Sequence, residues 1–415
     1  MPKIYLDYAA AAPLRPEVRR AMRPFFSDSW GNPSSVHALG AEAHEAVESA
    51  RGEVSALIGA GAGEIIFTSG GTESINLALQ GVAFARGEAG HLITSRIEHP
   101  ASLETARFME SRGWQVTYLP VDAYGQVDPE DVRRSINSRT ALVSVMHANN
   151  EVGTIQPVGE IGRITRERGV LFHVDAVQST GKIPLQVDAL GVDLLSISGH
   201  KLGGPKGIGA LYVRTGTPVE PLIRGGGQQW GLRSGTENVP GIVGFGAAVE
   251  AAAREMGVES RRIAELRDRL VDGVLYSAEG AKLNGHPTQR LPNFAHLSFQ
   301  GLDGHWLVKE LSFEGIYAAT GSACSSGKTE PSHVLAAMRV PVELAKGALR
   351  LTMGRETTAD EIRYAITLIP GIVERLRKKV SSGNDLADEY ARDCHTARSR
   401  AMAGFFNKLL RRSKQ

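Results

Sequence analysis

The sequence predicts an α/β fold, with a large domain built on a mostly parallel sheet covered by helices and a smaller α/β domain. Three observations predict it. From about residue 15 to 250, short apolar runs alternate with helical patterns. Runs of that kind between helices belong to a sheet buried on both faces. The polar, glycine-containing segments follow these runs directly, where open α/β sheets gather their ligand-binding groups. A chain of 415 residues is long enough for two or three domains.

Taken in order, the chain enters a strand-like run at Ile4-Tyr5-Leu6. Residues 41–58 read as a helix because Ala43, Val47, Ala50, Val54 and Leu57 recur at three- and four-residue spacing. The apolar run 64–68 is a strand ending at Ser69-Gly70-Gly71-Thr72, and residues 73–85 follow as a helix. Further strands are expected at 91–94, 115–119, 140–146, 170–174 and 194–197. The character changes near Met256, where a charged amphipathic helix is expected at 260–275, followed by the turn Asn284-Gly285-His286-Pro287. A strand at 295–299 and a closing helix at 360–376 complete the smaller unit. The expected division is therefore 15–255 for the large domain, and 1–14 with 256–378 for the small one. Residues 379–415 form a C-terminal extension. Its basic and apolar residues fit either an amphipathic helix for a partner or membrane surface, or a solvated tail.

A net charge of +2 gives no general reason to expect nucleic acid or membrane binding. Two cysteines, Cys324 and Cys394, make no disulfide framework. Without a basic-then-apolar leader or a run long enough to span a bilayer, a cytoplasmic enzyme is expected. No metal-ligand set is expected.

The chemistry concentrates in a few turns. His173-Val174-Asp175-Ala176-Val177-Gln178 delivers a carboxylate from an apolar strand. Downstream, Ser198-Gly199-His200-Lys201 presents a lysine in a turn of small residues, between a hydroxyl and an imidazole. Singly, such a lysine is a solvated loop residue and such an aspartate a helix N-cap. Together they suit a lysine Schiff base to pyridoxal phosphate, with the aspartate on the pyridinium nitrogen. Gly71 and Thr72 open a helix whose free N–H groups suit a phosphate, or simply start that helix. His99, followed by Pro100, is placed to be fixed at a helix entrance, where its ring either stacks on a cofactor or stays a surface imidazole. Asn150 offers a donor and an acceptor, which suits a cofactor ring oxygen and a substrate carboxylate, or marks only a turn; Arg350 offers a bidentate carboxylate grip, or is an ordinary strand arginine. Cys324 sits in Gly321-Ser322-Ala323-Cys324-Ser325-Ser326-Gly327, where glycines favour a reactive thiol over a buried one.

As a set these motifs resemble the cysteine desulfurases of the pyridoxal-phosphate class V aminotransferase family, in the group serving iron–sulfur and nitrogenase assembly. The resemblance runs from Tyr5 to about Leu376 and adds Gly31-Asn32-Pro33-Ser34-Ser35-Val36-His37 and Arg233-Ser234-Gly235-Thr236. It implies a PLP-dependent transferase of fold type I, acting as a homodimer. It implies that Lys201 carries the cofactor and shuttles the Cα proton, that Asp175 meets the ring nitrogen and Gln178 the ring hydroxyl, and that His99 stacks. Gly71, Thr72, Ser198 and His200 would hold the phosphate, with Thr236 reaching in from the other subunit. Asn150 and Arg350 would orient the carboxylate of L-cysteine, and Cys324 would take its sulfur as a persulfide for an acceptor protein such as an iron–sulfur scaffold. Selenocysteine lyase and a class V aminotransferase are the rival activities. Tyr8, Ala11-Ala12 and Gln229-Trp230 depart from residues common in that group.

Overall fold

The computed structural model describes residues 3–321 and 332–381 of the chain. Its strands in chain order are β1 (Ile4–Tyr5), β2 (Ile65–Thr68), β3 (His91–Ser95), β4 (Gln115–Leu119), β5 (Thr140–Met146) and β6 (Leu171–Asp175). They continue as β7 (Leu194–Ser198), β8 (Gly209–Val213), β9 (Ala281–Leu283), β10 (Phe294–Phe299), β11 (Ile316–Tyr317) and β12 (Ala348–Thr352).

Seven strands form one sheet in the order β2-β8-β7-β6-β5-β3-β4. The β7-β6-β5-β3-β4 stretch is parallel throughout, and β8 runs antiparallel between β7 and β2. The expected mostly parallel sheet is therefore present. Side-chain alternation shows why it is covered on both faces. Val143 and Val145 of β5, Leu195 and Ile197 of β7, and Ala210 and Tyr212 of β8 belong to one buried core. Leu142, Leu194, Leu211 and Val213 belong to another. The first core is closed by Val47, Val54 and Ile58 of the helix Ala38–Ile58. The second is closed by Ile75 and Leu79 of the helix Gly71–Arg86 and Met109 of the helix Pro100–Ser111. Each such side chain, once fully buried, contributes roughly 1.5–3 kcal/mol.

From β3 the chain moves outward to β4, but from β5 it moves through β6 to β7 on the opposite side. The winding therefore reverses between β3 and β5, the kind of place where such sheets open a crevice at their carboxyl ends. Glu98 spans it. Its Oε1 accepts from Ser95 Oγ at the end of β3 (2.6 Å) and from the backbone N–H of Met146 at the end of β5 (3.1 Å).

Two expectations are corrected. The strand β8 has no place in the pattern reading above, because its short run Gly209–Val213 follows a glycine-rich turn and carries no period of its own; pairing on both edges makes it a strand. The expected separate helix at 260–275 is part of one continuous helix, Val239–Ser277. Met256 and Gly257 lie inside it, and an interior glycine costs only about 1 kcal/mol relative to alanine. What changes near residue 256 is the packing partner. Val239, Ile242, Phe245 and Val249 enter the large-sheet core, whereas Ile263, Leu266, Leu270 and Val274 enter a core with Ile4, Leu6, Leu297, Leu351 and Ile369. That second core covers an antiparallel sheet of order β12-β10-β9, with β1 parallel to β11 beside it and the helix Ala359–Ser381 over it.

Gly209 pairs with Ser198 on one side and Thr68 on the other, so it stitches together the carboxyl ends of β7 and β2. A Cβ there would lie 2.6 Å from the Ile197 carbonyl oxygen and 2.7 Å from Gly70 Cα, both rigid backbone. Gly209→Ala is expected to destabilise the fold by about 1–3 kcal/mol, read as a lowered urea midpoint with an unchanged slope. A wild-type midpoint would contradict this packing.

Candidate active site

Four of the parallel strands deliver polar groups at their carboxyl ends. Ser198 ends β7 and leads into a single 3₁₀ turn, Gly199–Lys201. That turn swings the Lys201 side chain back, and its Nζ donates to the carbonyl oxygens of Ala9 (2.5 Å) and Ala10 (3.0 Å). Asp175 ends β6 and is buried, with Oδ1 accepting from the Val177 N–H at 2.9 Å. Burial pushes its carboxyl up to about 6, against the pull of the Val177 N–H and the charge of Lys201. Gln178, one turn on, donates from Nε2 to the Ala9 carbonyl at 3.0 Å. Its Oε1 is buried with no partner among the described residues.

His99 is the N-cap of the helix Pro100–Ser111, as the following proline led the sequence to predict. Its Nδ1 accepts from the Ala101 N–H at 3.1 Å, which places the ring proton on Nε2. Burial, then the charges of Lys201 and His333, hold the imidazole down at about 4, so it is neutral near pH 7.

The helix Gly71–Arg86 begins at Gly70, whose φ of 146° only glycine adopts readily, and no side chain caps it. Its first N–H groups therefore remain for an anion. A Cβ at Gly71 would lie 2.8 Å from Val177 Cγ2 and 3.7 Å from Ser198 Cβ, so this helix start stands against the turns after β6 and β7. Ser198 Oγ and His200 Nδ1 are 2.8 Å apart, and burial, then the charge of Lys201, keeps His200 down at about 4. Thr72 is exposed at the second position of the helix.

Asn150 and Arg350 form an adjoining group. Arg350 is buried in β12 and donates from Nη1 to the Asn150 carbonyl (2.9 Å) and from Nη2 to Asp7 Oδ1 (2.8 Å). The Arg350 Nε and the Asn150 Oδ1 are buried without partners among the described residues. Thr236 is exposed. Cys324 and the extension beyond 381 lie outside the described residues.

Several contributors have no assigned role in the sequence reading. The carbonyls of Ala9 and Ala10 carry no side-chain signal at all. Asp7 follows the first strand-like run and Glu98 precedes His99, yet nothing local says that one pairs with Arg350 or that the other bridges two strands. Burial raises the Glu98 carboxyl to about 8, with Oε2 unpartnered among the described residues. A group whose folded-state pKa lies above its ordinary 4.5 contributes stability in full below that value and loses it as pH rises through about 8. Between about pH 5 and about pH 9, the urea midpoint of the wild type is expected to fall more steeply than that of Glu98→Gln. Comparing the two proteins cancels other titrations, such as that of Lys182, whose lowered pKa acts in the opposite sense. Parallel pH profiles would exclude a neutral buried Glu98.

The donor set fits pyridoxal 5′-phosphate. A buried carboxylate suits a pyridinium nitrogen, and an uncapped glycine helix start with Ser198 and His200 suits a phosphate. A neutral imidazole suits a ring face, the unspent Gln178 Oε1 a phenolic hydroxyl, and the Lys201 amine an aldehyde.

Known proteins agree with this assignment. Residues 4–364 match the family model described as aminotransferase class-V. A protein of Dictyoglomus turgidum named cysteine desulfurase IscS is 51% identical over 376 residues, spanning 90% of this chain and 95% of the relative. One of the same name from Methanosarcina thermophila is 49% identical, spanning 90% and 93%. Among solved structures, a NifS-like protein superposes with a TM-score of 0.85 at 41% identity, covering 90% of this chain and 100% of its own. A structure described as SspA in complex with cysteine gives 0.77 at 39% identity, covering 85% and 99%. The chain belongs to the class V aminotransferase family, alongside its cysteine desulfurases, and is a pyridoxal-phosphate protein.

Proposed function

We infer that the protein is a cysteine desulfurase that converts L-cysteine to L-alanine and leaves the sulfur as a persulfide on Cys324. One observation carries the reading: the Lys201 amine follows β7 and its charge acts on both the buried Asp175 carboxyl at the end of β6 and the neutral His99 ring after β3. The relatives' names supply the sulfur chemistry.

When bound, pyridoxal phosphate supplies an electron sink for charge developing at the substrate Cα. Asp175 would hold the ring nitrogen, His99 would cover the ring face, and Gln178 would meet the ring hydroxyl. Gly71, Thr72, Ser198 and His200 would hold the phosphate. Lys201, released by the incoming amino acid, would take and return the Cα proton. Asn150 and Arg350 would orient the substrate carboxylate; since Asp7 already occupies Arg350 Nη2, that carboxylate must displace or share it. The Cys324 thiolate would attack the substrate sulfur, forming an S–S bond while the C–S bond breaks and its electron pair stays on carbon. The net change is Cys324–SH plus L-cysteine giving Cys324–S–SH plus L-alanine, so no outside reductant or oxidant is needed.

We also propose a homodimer, with Thr236 completing the partner's phosphate site. The groove bordered by Pro33, Ser34, Gly227, Gln229 and Trp230 supports a contact there, since Trp230, Trp30 and Val36 are exposed. Persulfide sulfur would pass to an acceptor such as an iron–sulfur scaffold. Among the described residues no helix is long and apolar enough to cross a membrane; the cytoplasm is the proposed compartment. The proposed domains are 15–255, and 1–14 with 256–378, with 379–415 as an extension.

Incubation of the holoprotein with L-cysteine is expected to yield alanine, with the extra sulfur mapped to Cys324 by mass spectrometry. Absence of alanine, or an adduct confined to Cys394, would overturn the reading. Cys324→Ala is expected to cut alanine formation by more than about 100-fold, as loss of a covalent nucleophile does. Full activity of that variant would instead mark an aminotransferase. Asp175→Asn is expected to retain the Lys201-bound chromophore while slowing Cα proton exchange, followed by deuterium uptake into L-alanine.

A further inference from the structure

Glu151 has no part in the chemistry above, yet its carboxylate is fully buried directly beside Asn150. Its Oε2 accepts from Ser332 Oγ. A Cβ at Gly321 would lie 3.2 Å from the same oxygen, and Gly321 is itself buried. Residues 321 and 332 are the two positions that bound the segment 322–331, which holds Cys324. One carboxyl oxygen therefore lies against Gly321 and accepts from Ser332, the described residues on either side of that segment.

Neighbouring contacts tie this point to the groups expected to bind substrate. On the leaving side, the Arg350 N–H donates to the Ala319 carbonyl at 2.7 Å, and the Ala319 N–H donates back at 3.2 Å. Arg350 Nη1 donates to the carbonyl of Asn150, the residue before Glu151. The path Arg350, Ala319, Gly321, Glu151, Asn150 and back to Arg350 is thus closed. On the returning side, Ser332 caps the helix His333–Ala337, and His333 Nε2 donates to the Glu98 carbonyl at 3.0 Å, next to His99.

We propose that Glu151 is a positioning residue for sulfur transfer: by holding positions 321 and 332 at one buried point beside Asn150, it fixes where the Cys324 segment begins and ends relative to bound substrate. The proposal rests on the desulfurase reading. A buried carboxyl suits the task because a misplaced attachment point costs rate steeply, while a hydroxyl donating to a buried oxygen makes a directional bond. The physical consequence is a separation of steps. Removing the anchor leaves the bonds of Arg350 to the Asn150 carbonyl, Asp7 and Ala319 intact, since none of them involves Glu151, so L-cysteine still binds; only delivery of its sulfur to the thiol suffers.

The test uses the full-length holoprotein and two readouts: the change in the cofactor's absorbance as L-cysteine is titrated, and the rate at which a persulfide appears on Cys324 by mass spectrometry. Glu151→Ala is expected to leave the absorbance midpoint within about twofold and to slow persulfide formation roughly 10- to 100-fold. Glu151→Gln, which still accepts from Ser332, is expected to recover most of that loss. Should Glu151→Ala fail to fold, Ser332→Ala against Ser332→Thr decides the same point, since threonine keeps both the hydroxyl and the helix cap. Persulfide formation at the wild-type rate in Glu151→Ala overturns the proposal, as does a midpoint weakened in step with the rate. Wild-type protein that makes no alanine overturns the desulfurase reading itself, a result separable from either.

Discussion

The carbonyl oxygen of Ala9 is the point on which the site depends. It accepts from Lys201 Nζ and from Gln178 Nε2, while the Ala9 N–H donates to Thr352 Oγ1 at 2.9 Å. One residue of the N-terminal segment thus binds the turn after β7, the turn after β6 and strand β12. With no polar side chain of its own, Ala9 holds Lys201 through backbone alone. These bonds to neutral backbone oxygens are ones that a competing aldehyde can replace.

Around that point the electrostatics follow from burial. The imidazoles of His99 and His200 both stay neutral near pH 7 because burial disfavours their charged form and Lys201 supplies a cation nearby. The same burial acts in the opposite sense on acids, raising Asp175 and Glu98. A crevice of this kind lowers the local charge while leaving one cation and one acid at its centre. A pyridinium nitrogen beside Asp175 would favour its ionised carboxylate further, and that carboxylate would in turn keep the nitrogen protonated.

The two cores are joined by a continuous helix and by the N-terminal strand, and the consequences reach the site. Val239–Ser277 places its first half against the large sheet and its second half against the small one. Arg350 comes from the small sheet but bonds to Asn150 after β5. The groups expected to hold the substrate carboxylate therefore lie on a seam between the cores, and Glu151, next to Asn150, stands beside it and bonds to Ser332, whose helix packs in the large-sheet core.

Much of the parallel sheet was legible because strands buried on both faces are mostly apolar runs, and β3, β5, β6 and β7 are of that kind, while β4 at the sheet edge is partly exposed. The site turns were legible for a related reason: glycine, proline and capping residues mark where strands stop, and His99 before Pro100 is fixed by local geometry alone. Strand β8 and the unbroken helix through Met256 were not, since pairing on both edges and burial against two cores are decided by distant partners. The same holds for the Ala9 carbonyl, the Asp7–Arg350 pair and the Glu98 bridge between β3 and β5. The sequence by itself determined which chemical groups the chain possesses and the turns that present them. Only the tertiary structure decided their ionisation and their partners, because desolvation and hydrogen bonding between segments hundreds of residues apart exist only once the sheet and its neighbouring core have closed.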